Sequence, residues 1–580
     1  MSRRERTAAA GEEARQWRPL LLLVAVWLLL GELAAPQAIA WLYAHAPAGE
    51  GGGLVARAAA GLRGYPTLAD CLGAWRTTIR WLLVGVVGYR LFASSSRGAG
   101  FAARFVPPAS AGMLGAIRAW VSFVLLVSAV WEDLPSSALL PRAMWKPEGV
   151  LRLFDAAPIG FGSFLTAPFA LALFQGVTIV LLVAALLGFR TRWSVPLAAL
   201  SYLVFAGIFR SYAWFYHTGL VPMYLLFVLS FTPCGDGFSL DRWLGGRARR
   251  SAGADDAAVP LPDPAGESVA YGWARFLVWT ALALPYVEAG LSKLRRAGVE
   301  WTYPENLKSL LLMDTLNPMQ FDWSFSLRLV HAPDALFWLF GIGTIVAETS
   351  FGLVLFSARA RRLLPLLTIG MHLSIWVLQN VLFFDLVLLQ AIFYDWRPAK
   401  RWLLARLRRP APAGPRALAP AFEATGGAVA IDWPRRFRLL VALFVTLWVV
   451  RLEEYPLTAM QMYSNPNLTG RVDWYAVRAT YASGEEGKAP VEAAIPALRD
   501  ARYRRIVRHG FRPATEPVAK EFLRAVGRAW NRTAAPGERI TALRVERWSW
   551  DYAHQPDDPR HGSVAASYGV DLTPELAEHR

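Results

Sequence analysis

Apolar residues in this chain gather into long blocks, not into the alternation of a half-buried strand or the narrow stripe of a surface helix. The blocks lie near residues 19–36, 77–93, 115–131, 164–189, 193–209, 217–233, 271–292, 335–357, 363–379, 380–395 and 437–453. Most have lengths that cross or nearly cross the hydrocarbon layer of a bilayer, and those at 115–131 and 380–395 are the weakest of the set. Backbone polar groups in lipid must be satisfied internally, so such blocks fold as helices. The pattern predicts an all-α polytopic membrane helical bundle of about 9–11 transmembrane helices, with the lipid bilayer as its first partner. After about residue 455 the pattern changes. Residues 473–481 and 540–552 alternate like strands, while 490–509 and 516–531 have helical spacing, which predicts a small C-terminal soluble α+β domain.

Four segments follow from this reading. Residues 1–112 hold an N-terminal cytoplasmic segment and two extra transmembrane helices. Residues 113–396 form the main membrane domain, 397–453 a cytoplasmic linker and the last transmembrane helix, and 454–580 the soluble domain outside the membrane. The run at 19–36 follows Arg3, Arg4, Arg6, Arg15 and Arg18 and lacks a clean small-residue cleavage site, so it reads as a signal anchor. Links at 245–266 and 410–427 read as flexible from their Gly, Ala and Pro content.

Composition sharpens the class. Of 580 residues, 54% are hydrophobic and only 18% charged, where soluble domains carry roughly 25% charged residues. The 25 Trp and 31 Phe suit membrane interfaces and packed spanning helices. The net charge of +17 does not point to nucleic acid. Its Lys and Arg fall mainly in links, including Arg190 and Arg192, Arg247 to Arg250, Arg359 to Arg362 and Arg397 to Arg438. That distribution sets orientation: N-terminus cytoplasmic, C-terminus outside, in a multi-pass protein of a bacterial-type inner membrane. Cys71 and Cys234 are far apart and lack a CxxC, so neither a metal site nor a dithiol centre is expected.

Ionisable side chains in or beside spanning helices are expensive and therefore mark candidate function. His217 stands among aromatic residues at the start of one crossing, where it suits an interfacial belt or a hydrogen bond to a substrate oxygen. Lys293 closes another, either as a snorkelling anchor or as a general base, which requires desolvation or nearby cations to lower its pKa. Glu348 and His372 lie deep in two further crossings, as a structural pair or a proton path. Asp385 lies near the end of the next run and marks its boundary or joins that path.

The order of these residues resembles a known family. Tyr286, Glu288, Gly290, Lys293 and Leu294, followed by Glu300, Trp301, Tyr303 and Pro304, look like an Ala-Gly-x-x-Lys-Leu segment and its acidic-aromatic continuation. Tyr216 and His217, then Thr232 to Gly235 and Phe238 to Asp241, look like a His-bearing loop and a Ser-x-Asp link; Glu348 and the Met371–His372 pair follow in order. From about Leu114 to Trp396 the chain thus resembles the horizontally transferred transmembrane (HTTM) domain. That domain is the membrane module of vitamin K-dependent γ-glutamyl carboxylase and many bacterial relatives.

The resemblance implies Lys293 as the base that deprotonates a reduced quinone (vitamin K hydroquinone or a menaquinol-like relative), with His217 assisting and Tyr216, Trp301 and Tyr303 as cofactor-binding residues. The departures are specific. Trp214, Phe215 and Tyr216 replace asparagines expected before the histidine, Leu294, Arg295 and Arg296 replace an acidic segment, and the tail is short for a propeptide-binding region. A quinol-linked carboxylase-like or oxidoreductase-like membrane enzyme, with no protein substrate named, is the leading expectation. A non-catalytic scaffold or a lipid- or quinone-binding protein on the same fold is the alternative, and a transporter ranks third because no inverted repeat is visible.

Overall fold

The structure is a computed structural model that describes residues 22, 24–45, 67–95, 99–156, 160–214, 219–251, 266–396, 406 and 432–578. Tyr216 and His217, most of the two flexible links and most of the basic stretch after Arg397 lie outside the described residues. The chain divides into two compact units, one of residues 1–101 and 434–452, the other of 102–433 and 453–580.

In the first unit, α1 (Ala35–His45) continues a π-helical stretch, Leu29–Ala34, and packs beside α2 (Leu68–Ser95). Two indole N–H groups hold them: Trp27 Nε1 donates to the Ile79 carbonyl at 3.1 Å and Trp75 Nε1 to that of Gly31 at 2.8 Å.

The second unit contains the bundle. Its principal helices are α3 (Ala111–Trp131), α4 (Pro168–Leu187), α5 (Thr191–Ala213), α6 (Leu220–Ser230), α7 (Val269–Ala297), α8 (Pro304–Leu316), α9 (Asp334–Ser350), α10 (Ala358–Gln379) and α11 (Phe384–Leu389). Six stretches among the described residues are helices long and apolar enough to cross a membrane: Val24–Ala44, Ala111–Trp131, Pro168–Leu187, Thr191–Ala213, Asp334–Leu355 and Ala358–Gln379. Two more predicted runs fold as shorter apolar helices, Leu220–Ser230 and Phe384–Phe393. Helix α7 is about 43 Å long at 1.5 Å per residue, but it carries Arg275, Glu288 and Lys293 along its length.

Local chemistry fixes the hairpins. Gly188 ends α4 in the left-handed region at φ 70°, where any side chain would meet the Arg118 guanidinium at 2.6 Å. Arg118 itself is fully buried in the middle of α3. It donates to the carbonyls of Cys234 at 2.9 Å, Phe238 at 2.6 Å and Leu186 at 3.4 Å, which offsets the desolvation of its charge. The Asp241 carboxylate closes the same turn by accepting the N–H groups of Arg190 at 2.5 Å and Thr191 at 2.7 Å.

Residues 453–578 carry a four-stranded antiparallel sheet of β1 (Arg471–Tyr481), β2 (Glu486–Lys488), β3 (Ile540–Asp551) and β4 (Ser563–Asp571) in the order β2-β1-β3-β4. Helix α12 (Trp433–Val450) precedes them; α13 (Arg504–His509) and α14 (Glu516–Asn531) fill the segment between β2 and β3. Helix α14 is amphipathic and buries Phe522, Leu523 and Val526. The strands and α14 stand where the alternation and the helical spacing predict them.

This region is bolted to the bundle. Tyr212 Oη donates to the Ala497 carbonyl at 2.9 Å, Tyr455 Oη to that of Leu203 at 2.5 Å and Tyr552 Oη to that of Glu305 at 2.9 Å. Arg502 pairs with Glu132 at 2.5 Å, both nearly buried. Residues 102–433 and 453–580 therefore fold as one unit, whereas the change of pattern at about 455 suggested a domain standing apart.

Candidate functional site

Helix α7 organises the buried polar groups. Lys293 sits one turn after Gly290, whose missing Cβ lets α9 close in. A methyl there would meet Glu348 Cβ at 2.9 Å and Thr349 Cγ2 at 2.7 Å. That approach lets Glu348 reach Lys293: Nζ lies 2.9 Å from Oε1 and 2.8 Å from Oε2. Both residues are buried, at 4% and 8% exposure.

Lys293 Nζ also stands 5.3 Å from the centre of the Trp301 ring, within cation–π range. Trp301 lies in a 3₁₀ turn, Gly298–Thr302, and its indole N–H donates to the Tyr463 carbonyl at 2.6 Å. Tyr303 points elsewhere and packs on Trp338 at 5.2 Å between ring centres. The two aromatic residues grouped by resemblance thus have different neighbours.

Two turns earlier on the same face of α7, Tyr286 Oη lies 2.9 Å from His372 Nε2 and accepts from the Gln390 amide at 2.9 Å. The hydroxyl has one proton and two acceptor sites, so it can bond to both Gln390 and Nε2 whichever ring nitrogen carries the imidazole proton. Glu348 and His372 are therefore not each other's partners: Glu348 holds Lys293, and His372 holds Tyr286. Asp385, buried in the first turn of α11, accepts from the Gly219 N–H at 3.2 Å and the Leu386 N–H at 2.9 Å. It holds an N–H in the first turn of its own helix and the Gly219 N–H just before α6.

A chamber of about 770 Å³ opens between the bundle and the C-terminal region, within the size range of small-molecule sites. Its walls come from α8 (Asn306, Ser309, Asp314), residues 381–385, residues 461–475 and residues 500–508. Ala213 lines it, and Gly219 bonds to its lining residue Asp385. Lys293 does not line the chamber; Tyr463, the partner of Trp301, does.

Two acidic residues that the sequence reading did not single out as candidates are prominent here. Glu288, 5% exposed, has no hydrogen-bond partner on either carboxylate oxygen. Its signal was present in the sequence as an acid inside the apolar run 271–292. Asp314 is 2% exposed with one oxygen unpartnered, and Arg504 is 3.8 Å from the other. Burial raises its carboxyl pKa to about 6, against the pull of Arg504. A carboxyl at that value exchanges protons near neutral pH.

Comparison with protein-family models, with curated proteins and with solved structures returns no match.

Proposed function

We propose that this chain is a multi-pass membrane enzyme of the quinol-linked, γ-carboxylase-like kind, with Lys293 as the base and Glu348 as the group that shares its proton. One observation carries the reading: a lysine and a glutamate lie 2.8 Å apart in the interior of an apolar bundle. In such surroundings both charged forms are penalised, so moving one proton from Nζ to the carboxylate yields a neutral amine able to act as a base. Trp301 covers the pair, and the Tyr286–His372–Gln390 group lies about 10 Å along the same helix face.

A reduced quinone, the cofactor the resemblance implies, meets Lys293 only after the packing around it opens, because Lys293 is buried and does not line the chamber. The chain's own part is to hold the proton between Nζ and the carboxylate and to exclude water from both. His217 is assigned to this site by its place in the motif alone.

The test is quinol-dependent oxygen uptake by the purified protein in nanodiscs. Lys293→Met should lower it about 10²–10⁴-fold, the usual contribution of a general base. Absence of uptake in the wild type with every quinol offered would end the enzyme reading. The sealed position of Lys293 favours a second reading, a non-catalytic scaffold or a lipid- or quinone-binding protein in which the pair is a bolt between α7 and α9.

A further inference from the structure

Positive charge from three parts of the chain gathers around Trp214, next to the chamber-lining Ala213. Trp214 follows α5 in the left-handed region at φ 59°. Lys146 Nζ stands 3.7 Å from the centre of its ring, and the His509 ring lies 5.3 Å away. Arg505 Nη1 donates to the Trp214 carbonyl at 3.0 Å. The Trp214 N–H in turn donates to the Arg210 carbonyl at 3.0 Å. Arg505 and Arg508, on α13, both line the chamber.

Glu148 pairs with Arg210 at 2.8 Å and also acts on Arg505. Two of the chamber's carboxylates face other arginines, Asp314 facing Arg504 at 3.8 Å and Asp500 facing Arg502 at 3.7 Å, while Asp385 accepts from the Gly219 amide. Asp473 is exposed on β1. Among the described residues, neither Lys146 nor Arg508 forms an ion pair.

We propose that the Trp214 end of the chamber binds a phosphate-class oxyanion, gripped by Arg505 and Arg508 with Lys146 and His509 beside them. Guanidinium groups suit this chemistry because their donors match the oxygens of a phosphate two at a time. Like charges held together in a partly enclosed space repel, and an anion in the chamber removes that repulsion. Desolvation beside the chamber, then Arg508 and Arg210, hold the Arg505 guanidinium down at about 10 against the pull of Glu148, although part of the side chain reaches solvent. Burial, then Arg512, Arg505, Lys146 and Arg508, hold the His509 imidazole below its ordinary value.

The phosphate has two possible sources, a soluble ligand entering the chamber or the headgroup of an anionic lipid, since α5 is a candidate membrane span that ends here. The assignment does not rest on Lys293 or on any redox chemistry.

The test uses the full chain and inorganic phosphate at constant ionic strength, followed by thermal unfolding in neutral detergent. The wild type should gain stability saturably with phosphate. Arg508→Gln, an exposed position, should bind at least about tenfold more weakly, the loss of one charge-assisted contact. Without phosphate the same variant should melt about 1–2 °C higher, because one repelling charge is gone. A parallel arm places the protein in phosphatidylcholine nanodiscs with or without phosphatidylglycerol. Saturation by phosphate alone assigns a soluble ligand; a response to phosphatidylglycerol alone, lost in Arg508→Gln, assigns a headgroup. No saturable response in either arm, or one unchanged in both Arg508→Gln and Lys146→Gln, overturns the proposal.

Discussion

At Lys293 one ammonium meets one carboxylate at 2.8 Å in a packed interior. Around Trp214, Lys146, Arg210, Arg505 and Arg508 stand together, with the Glu148 carboxylate on Arg210, at the edge of an open chamber. The first group is complete within the protein and closed to solvent. The second is incomplete and accessible. A closed pair can hold a proton or hold two helices together, and it needs a rearrangement before it meets a ligand. An open group with surplus charge is organised to receive one. The difference teaches where to expect chemistry within the chain and where to expect recognition of something outside it.

The largest effect should come from breaking the closed pair. Lys293→Met leaves the buried Glu348 carboxyl without its partner, and should cost about 3–5 kcal/mol, the usual penalty for orphaning one member of a buried pair. Replacing both, Lys293→Met with Glu348→Leu, should recover most of that loss. Unfolding of both variants in the same detergent checks the contrast, and equal stabilities would show that the pair is not closed.

Next is the pH dependence at Asp314. Its carboxyl titrates near 6 in the folded chain against 3.8 ordinarily, so the folded state binds its proton more tightly than the unfolded state. Its contribution therefore favours folding below about pH 4, declines as the pH rises, and is lost above about pH 6. Asp314→Asn should be more stable than wild type by about 2–3 kcal/mol at pH 7.5, with the gap closing by pH 4. A gap independent of pH would contradict the assignment.

A smaller effect, about 1–3 kcal/mol of overpacking, is expected for Gly290→Ala, because its Cβ would push Glu348 away from Lys293. If Gly290→Ala melts with the wild type, α9 does not depend on that close approach. Smallest of all is Lys520→Gln on α14. It removes an exposed i,i+4 pair with Glu516 at 2.7 Å and should change stability by no more than about 0.5 kcal/mol. A larger loss would mean that water does not screen ion pairs here as assumed.

Much of the architecture was legible from apolar run length. The runs at 115–131, 164–189, 193–209, 335–357 and 363–379 overlie described spans, and the helix predicted at 516–531 is α14. Run length says nothing about partners, however. Glu348 lies 55 residues from Lys293 and His372 lies 86 from Tyr286, so their pairing depends on how α9 and α10 pack on α7. The run at 380–395 holds a shorter helix because Asn380 ends α10 in a left-handed turn, the helix begins only at Phe384, and Gln390 to Phe393 form 3₁₀ structure. The chamber was not legible at all. Its walls come from stretches scattered between Ala213 and Ser549, and no local pattern brings Asp314 and Arg504 together. Glu288 could have been found: any acid within an apolar run warrants the attention given to Lys293.

The central claim is that Lys293 works by releasing a proton and not only by pairing with Glu348. Lys293→Arg separates these roles, because guanidinium can keep the ion pair yet does not deprotonate under working conditions. The decisive measurement is quinol-dependent oxygen uptake by wild type and Lys293→Arg in nanodiscs, with thermal unfolding recorded on the same samples. The account expects turnover in the wild type and none in Lys293→Arg at comparable stability. Turnover retained in Lys293→Arg would contradict it and leave Lys293 as a bolt between two helices.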